Sequence, residues 1–128
     1  MNRHQIRKNV IQMLYTINLN KVNLDVAKSL CEEGCEEAIE ITSKVLERID
    51  EVDRIISENL ENYSLNRLNI VDKSIVEYAT YELISDITPK EIIISEALLL
   101  TQEFSDEGNS NQVRFNNKLI DKIAGSVR

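Results

Sequence analysis

A chain of 128 residues with 42% hydrophobic content and no long apolar run is expected to form one soluble domain, or two small halves sharing a core, and not a membrane protein. A chain of this size buries about two-thirds of the surface its unfolded state exposes, so folding needs neither disulfide nor metal. Three Gly, one Pro and 5% aromatic residues supply too few turns for an all-β sandwich or barrel, and the composition reads as helical.

The formal charge of −7 opposes an unaided, general affinity for nucleic acid. It is unevenly spread. Residues 1–24 carry Arg3, Arg7, Lys8 and Lys21 with no acid (+4), residues 25–62 carry 12 acids against 4 bases (−8), and the remainder carries 10 acids against 7 bases (−3). A basic start and an acidic middle suit a protein that meets an anion on one side and a basic partner on another, although a solvated helical surface has the same pattern. The basic N-terminus has no apolar stretch or cleavage site of a secretory signal behind it, so a cytoplasmic location is expected. Cys31 and Cys35, four residues apart, fit reduced thiols on one helical face. With His4 the sole histidine, a zinc site would lack ligands, and no metal or cofactor is expected.

In chain order, Ile6, Val10, Met13 and Ile17 form the core stripe of a helix over about residues 2–18. His4, Lys8 and Tyr15 cluster opposite that stripe, with Arg3 and Arg7 on one flank beside Ile11, and Gln12 on the other. A short second helix uses Leu24, Ala27, Leu30 and Cys31 and ends near Gly34. Ala38, Ile41, Val45, Ile49, Val52, Ile56 and Leu60 then define one long amphipathic helix, interrupted at Tyr63-Ser64. Ser64 is placed to cap one turn through Leu65 and Leu68. Asn69 caps the next helix, with Asp72 near its amino-end dipole and Val71, Ile75, Tyr78, Ala79 and Leu83 as its inner face.

Thr88-Pro89-Lys90-Glu91 reads as a capping threonine, a proline at the first helical position and a glutamate reaching back to the cap nitrogen. Ile92, Ile93, Ala97, Leu100 and Phe104 give that helix its buried side, and residues 105–111 form a polar loop. The last helix buries Phe115, Leu119, Ile120, Ile123 and Ala124, while Arg114, Lys118 and Lys122 recur every four residues beside them. The expected fold is all-α, three helices on each side of a break near 63–69. It divides into two packed three-helix subdomains, 1–63 and 64–128, that together make a single domain.

No nucleophile has a base, no carboxylates are paired in a recognisable pocket, and three glycines cannot make a phosphate loop. The chain therefore reads as a binding module and not as an enzyme.

Three stretches stand out together: the arginine-bearing opening Arg3-His4-Gln5-Ile6-Arg7-Lys8 with its Gln12-Met13-Leu14-Tyr15, the central Ile75-Val76-Glu77-Tyr78-Ala79-Thr80-Tyr81-Glu82-Leu83 with Thr88-Pro89 and Ile94-Ser95-Glu96-Ala97, and the closing Phe115-Asn116-Asn117-Lys118-Leu119-Ile120-Asp121-Lys122-Ile123. In this order and spacing the chain resembles the transcription antitermination factor NusB family. The resemblance implies a NusB-like helical bundle that binds boxA-like single-stranded RNA with a small-subunit ribosomal protein acting as NusE. It also implies a role with the RNA polymerase elongation complex, in read-through within ribosomal RNA operons. Carried over by position, it assigns Arg3, His4, Arg7, Lys8, Tyr15, Arg114, Asn117 and Lys118 to RNA, and Asp72, Glu77 and Glu82 to the partner. The chain departs from the family pattern at Glu77, where arginine is usual, at Ser95 for asparagine, at Lys118 for glycine and at Tyr63 for a frequent tryptophan. The alternative from another class is a helical protein–protein adaptor or homodimer without RNA binding.

Overall fold

The computed structural model describes residues 2–31, 33–61, 64–85, 87–105, 108 and 110–128, and every regular element among them is helical. The helices are α1 (Arg3–Asn20), α2 (Leu24–Lys28), α3 (Glu36–Glu47), α4 (Ile49–Asn59), α5 (Ile70–Ser85), α6 (Lys90–Phe104) and α7 (Asn111–Val127), with a 3₁₀ turn at Leu65–Arg67. No helix among the described residues is long and apolar enough to cross a membrane. The predicted interruption at Tyr63 and part of the predicted polar loop, Asp106, Glu107 and Asn109, lie outside the described residues.

Local chemistry sets the helix ends. Asn2 and Gln5 form a reciprocal capping box at the start of α1, the Gln5 N–H donating to Asn2 Oδ1 at 2.9 Å and the Asn2 N–H donating to Gln5 Oε1 at 3.1 Å. Lys21, in the left-handed region at φ 53°, closes the helix. Asn69 caps α5 as predicted, its Oδ1 accepting from the Val71 N–H at 2.8 Å. The start of α6 differs from the expected capping box. Pro89, not Thr88, takes the cap position, no side chain caps the helix, and the Pro89 carbonyl accepts from the N–H groups of Ile92 and Ile93.

The predicted long helix is divided at Arg48 (φ −112°, ψ 15°) into α3 and α4. The Arg48 N–H turns back three residues to the Val45 carbonyl, a 3₁₀-type closure, and its guanidinium grips Glu51. Because a single residue separates the two helices, the apolar stripe carries on through the break, which is why periodicity did not reveal it. The cysteines also differ from expectation. Cys31 lies beyond the end of α2 and Cys35 at the start of α3, so they share no helical face, and they are joined as a disulfide with a Cα–Cα separation of 6.5 Å.

The organising element is α5, against which α1, α3, α4, α6 and α7 all pack. One hydrophobic cluster takes Val10 and Leu14 from α1, Val45 from α3, Ile56 from α4, Ile75 and Val76 from α5, Leu100 from α6 and Ile120 and Ile123 from α7. Enclosure on so many sides buries nearly the whole surface of α5, including Asp72, Glu77 and Glu82, where an amphipathic helix with one inner face was expected. On α6 the buried arc runs through Ile93, Ala97 and Leu100, which leaves Ile92 48% and Phe104 37% exposed against expectation. The Arg128 guanidinium donates to the Leu83 and Glu82 carbonyls at 2.8 and 3.3 Å, satisfying acceptors that the end of α5 would otherwise leave open.

Candidate nucleic-acid interface

The first two turns of α1 carry four bases, and each of them meets a carboxylate. The Arg3 guanidinium lies 3.2 Å from Glu37 of α3. His4 bridges two acids of α6, with Nδ1 2.8 Å from Glu96 and Nε2 2.8 Å from Glu103. Only the imidazolium donates from both nitrogens, and the hydrogen bonds to Glu96 and then Glu103 raise the His4 pKa above its ordinary value. Lys8 Nζ stands 3.2 Å from Glu103 and 5.7 Å from the centre of the Phe104 ring. The bond from His4, reinforced by Lys8, holds the Glu103 carboxyl below the usual carboxylate range. Tyr15 is half-buried on the same side of α1.

Arg7 is of another kind. It is 3% exposed and binds Glu82 of α5 through two parallel bonds, Nε to Oε1 and Nη2 to Oε2, both 3.0 Å. The expected surface roles of Arg7 toward RNA and of Glu82 toward a partner are therefore corrected: the two residues satisfy each other inside the core. A signal was present in the sequence, since Ile11 and Leu14, four and seven residues after Arg7, place it within the buried arc of the helix.

Asp72 and Glu77, expected to face a partner, are corrected for the same reason, being 2% and 1% exposed on the enclosed α5. Asp72 accepts from Ser105 Oγ at 2.6 Å and from Asn116 Nδ2 at 3.0 Å, and Asn116 also reaches Thr101 Oγ1 at 3.0 Å, so these groups tie together α5, α7 and the end of α6. Glu77 accepts from Asn18 Nδ2 at 2.9 Å and faces Asp53 of α4. Burial, followed by the bond to Asp53, pushes its pKa up to about 9. At neutral pH it is thus held as the neutral carboxylic acid beside Asp53. Sequence reading noted that Glu77 replaces a usual arginine but could not show that its neighbour is a second acid.

On α7, Arg114, Asn117 and Lys118 are exposed as expected. Arg114 bonds the Asn111 side chain, Lys122 pairs with Glu61 at 2.7 Å, and Lys118 makes no ion pair among the described residues. Phe115 is half-buried and borders two open depressions, one of about 350 Å³ shared with Arg67, Asn69 and Asp72, the other of about 190 Å³ shared with Glu61, Lys118 and Lys122. The helix between the two basic regions is α6, which packs on α7 and reaches α1 through Glu96 and Glu103. Sequence reasoning missed both of these acids, since nothing in local periodicity links residues about a hundred positions apart. Among the described residues, no group of His, Cys, Asp and Glu is arranged to hold a metal ion.

Among the described residues the body is all-helical, with charged groups gathered along α1, α6 and α7, and this defines a protein of the helical-bundle class. The model of the NusB family matches residues 4–124, and the chain belongs to that family. It is 36% identical to the transcription antitermination protein NusB of Elusimicrobium minutum, over 95% of this chain and 92% of that protein. Against the protein of the same name from an Exiguobacterium species it is 31% identical over 99% and 97%, and against that from Listeria innocua 32% identical over 97% of each. Among solved structures, T. maritima NusB superposes with a TM-score of 0.87 at 27% identity, covering 98% of this chain and 92% of that one. The fold is shared with a structure of the antitermination factors NusB and NusE in complex with dsRNA, at a TM-score of 0.80 and 21% identity, covering 98% and 99%. Membership in a family of transcription antitermination proteins makes this a binding factor and not an enzyme.

Proposed function

We propose that this protein acts in the cytoplasm as an antitermination factor that binds boxA-type single-stranded RNA together with a small-subunit ribosomal protein acting as NusE, promoting read-through by RNA polymerase in ribosomal RNA operons. The observation that carries the reading is the cluster of Arg3, His4, Lys8 and Tyr15, which keeps solvent access on the side of α1 away from its core stripe, in a chain of the NusB family. Cations there hold phosphates, and Tyr15 offers a ring on which an unpaired base can stack. Arg114, Asn117 and Lys118, exposed on α7, extend the contact. With Asp72, Glu77 and Glu82 sealed in the core, the attraction for a basic partner comes from exposed acids of α3 and α4 such as Glu40, Glu47, Asp50 and Glu58. That partner also offsets the −7 that opposes a transcript.

A gel-shift titration of boxA RNA with this protein, with the ribosomal protein, and with both tests the reading. Retention that tightens in the mixture and weakens steeply with salt is expected, whereas no change on mixing overturns it. A carboxylate beside every base of the first two turns of α1 is the observation that favours the protein-only adaptor. Arg3→Glu combined with Lys8→Glu separates the two readings, because the adaptor keeps every activity while the RNA-binding factor loses retention with its fold intact.

A further inference from the structure

We propose that Glu96 and Glu103 of α6 determine the RNA selectivity of the α1 face, as resident counter-anions that a transcript has to displace from His4 and Lys8. The inference rests on the RNA-binding reading above and concerns how that site discriminates.

The two acids stand two helical turns apart on α6, and His4 sits between them with one ring nitrogen 2.8 Å from each. Glu103 is shared, its second oxygen lying 3.2 Å from Lys8 Nζ. All four side chains are between 24% and 39% exposed, so solvent and ligand reach every member of the group. Arg7 and Glu82, one turn away, are sealed at 4% each and do not exchange. Of the other charged groups around His4, Arg3 is held by Glu37 of α3, and Arg7 is neutralised by Glu82 of α5. The free face therefore presents two cations already balanced by two anions, not the charge that residues 1–24 suggest.

Three consequences follow from elementary electrostatics. A phosphate arriving here replaces an existing ionic contact and so gains less than it would at a bare cation. The displaced carboxylates stay on α6, close to the phosphate chain, and repel it. An RNA that offers only a string of phosphates is thus held weakly, while one that also supplies a base for Tyr15 and contacts to the partner is held firmly. The acids also keep His4 charged, through the bonds that raise its pKa, so they maintain the cation that they mask.

The test uses the full chain with its ribosomal partner, and compares wild type with E96Q/E103Q and with the charge-conserving E96D/E103D. Two labelled RNAs of equal length are titrated, one boxA-type and one of scrambled sequence, at two salt concentrations and at pH 6 and pH 8. The glutamine variant is expected to bind scrambled RNA about five- to tenfold tighter and boxA RNA about twofold tighter, with a salt slope for scrambled RNA steeper by about one. The gain is expected to be larger at pH 6, where His4 stays charged without its acids, and the aspartate variant is expected to retain most of the wild-type selectivity. The single histidine gives one set of imidazole NMR signals, and its pKa should fall in E96Q/E103Q. If wild type binds boxA RNA while E96Q/E103Q leaves the ratio of the two affinities unchanged, the inference is overturned and the RNA-binding reading stands. If wild type retains no RNA with or without the partner, the proposed function itself fails, and the inference with it.

Discussion

The start of α1 and the first two bases of the outer row of α7, Arg114 and Lys118, carry similar charge at similar spacing, yet the structure gives them different circumstances. Arg3, His4, Arg7 and Lys8 are each met by an acid from another helix, Glu37, Glu96, Glu82 and Glu103, and one pair is sealed in the core. Arg114 and Lys118 look outward and Lys118 makes no ion pair among the described residues, while Lys122, the last of the row, pairs with Glu61. The difference arises from neighbours. The first turns of α1 lie against α5, α3 and the acids of α6, whereas Arg114 and Lys118 stand on the exposed side of α7. A basic run in sequence thus marks where cations are, and the surrounding helices decide whether each is a strut, a masked contact or an open one.

The sharpest way to break this contrast is at Arg7. Replacing it with Met strands the Glu82 carboxylate in the core and is expected to cost about 3–5 kcal/mol in urea unfolding, while Arg7→Met with Glu82→Leu recovers most of that loss. A single variant as stable as wild type would show that Arg7 belongs with the surface bases after all.

A second, smaller effect is expected at Glu77. Because its folded pKa of about 9 lies above its ordinary 4.5, the folded chain holds a proton there that the unfolded chain has released. Stability from this group is full below about pH 4.5 and declines as pH rises toward 9. Glu77→Gln keeps a donor for Asp53 without a proton to lose. It is expected to stabilise by about 1–3 kcal/mol at pH 7.5 and to flatten the decline, measured by thermal melts across that range. An unchanged pH profile would mean that Glu77 does not hold the extra proton. The smallest effect falls on the open row: Lys118→Ala is expected to leave the melting temperature unaltered, to weaken RNA binding about threefold, and to reduce the salt slope by about one.

Much of the fold was legible because helices announce themselves locally. The stripe Ile6, Val10, Met13 names the buried side of α1, the Asn69 cap marks the start of α5, and Leu119, Ile120 and Ile123 mark the core face of α7. The failures have one character. The break at Arg48 leaves the period undisturbed, the cap of α6 moved by one residue, and the burial of Asp72, Glu77 and Glu82 depends on α5 being surrounded. The candidate site was half legible as geometry: Tyr15, Lys8 and His4 stand off the core stripe as the spacing implied, while Arg7 went inside and the acids that hold His4 were invisible.

Sequence alone determined the helical class, most of the apolar residues that line the core and membership in an antitermination family, because a period near 3.6 and an ordered series of motifs are properties of the chain read along itself. Tertiary structure alone decided what each charge does. Whether a guanidinium or carboxylate is solvated, paired or protonated depends on the dielectric and the groups within a few ångströms of it, and here those groups arrive from helices tens of residues away in the chain.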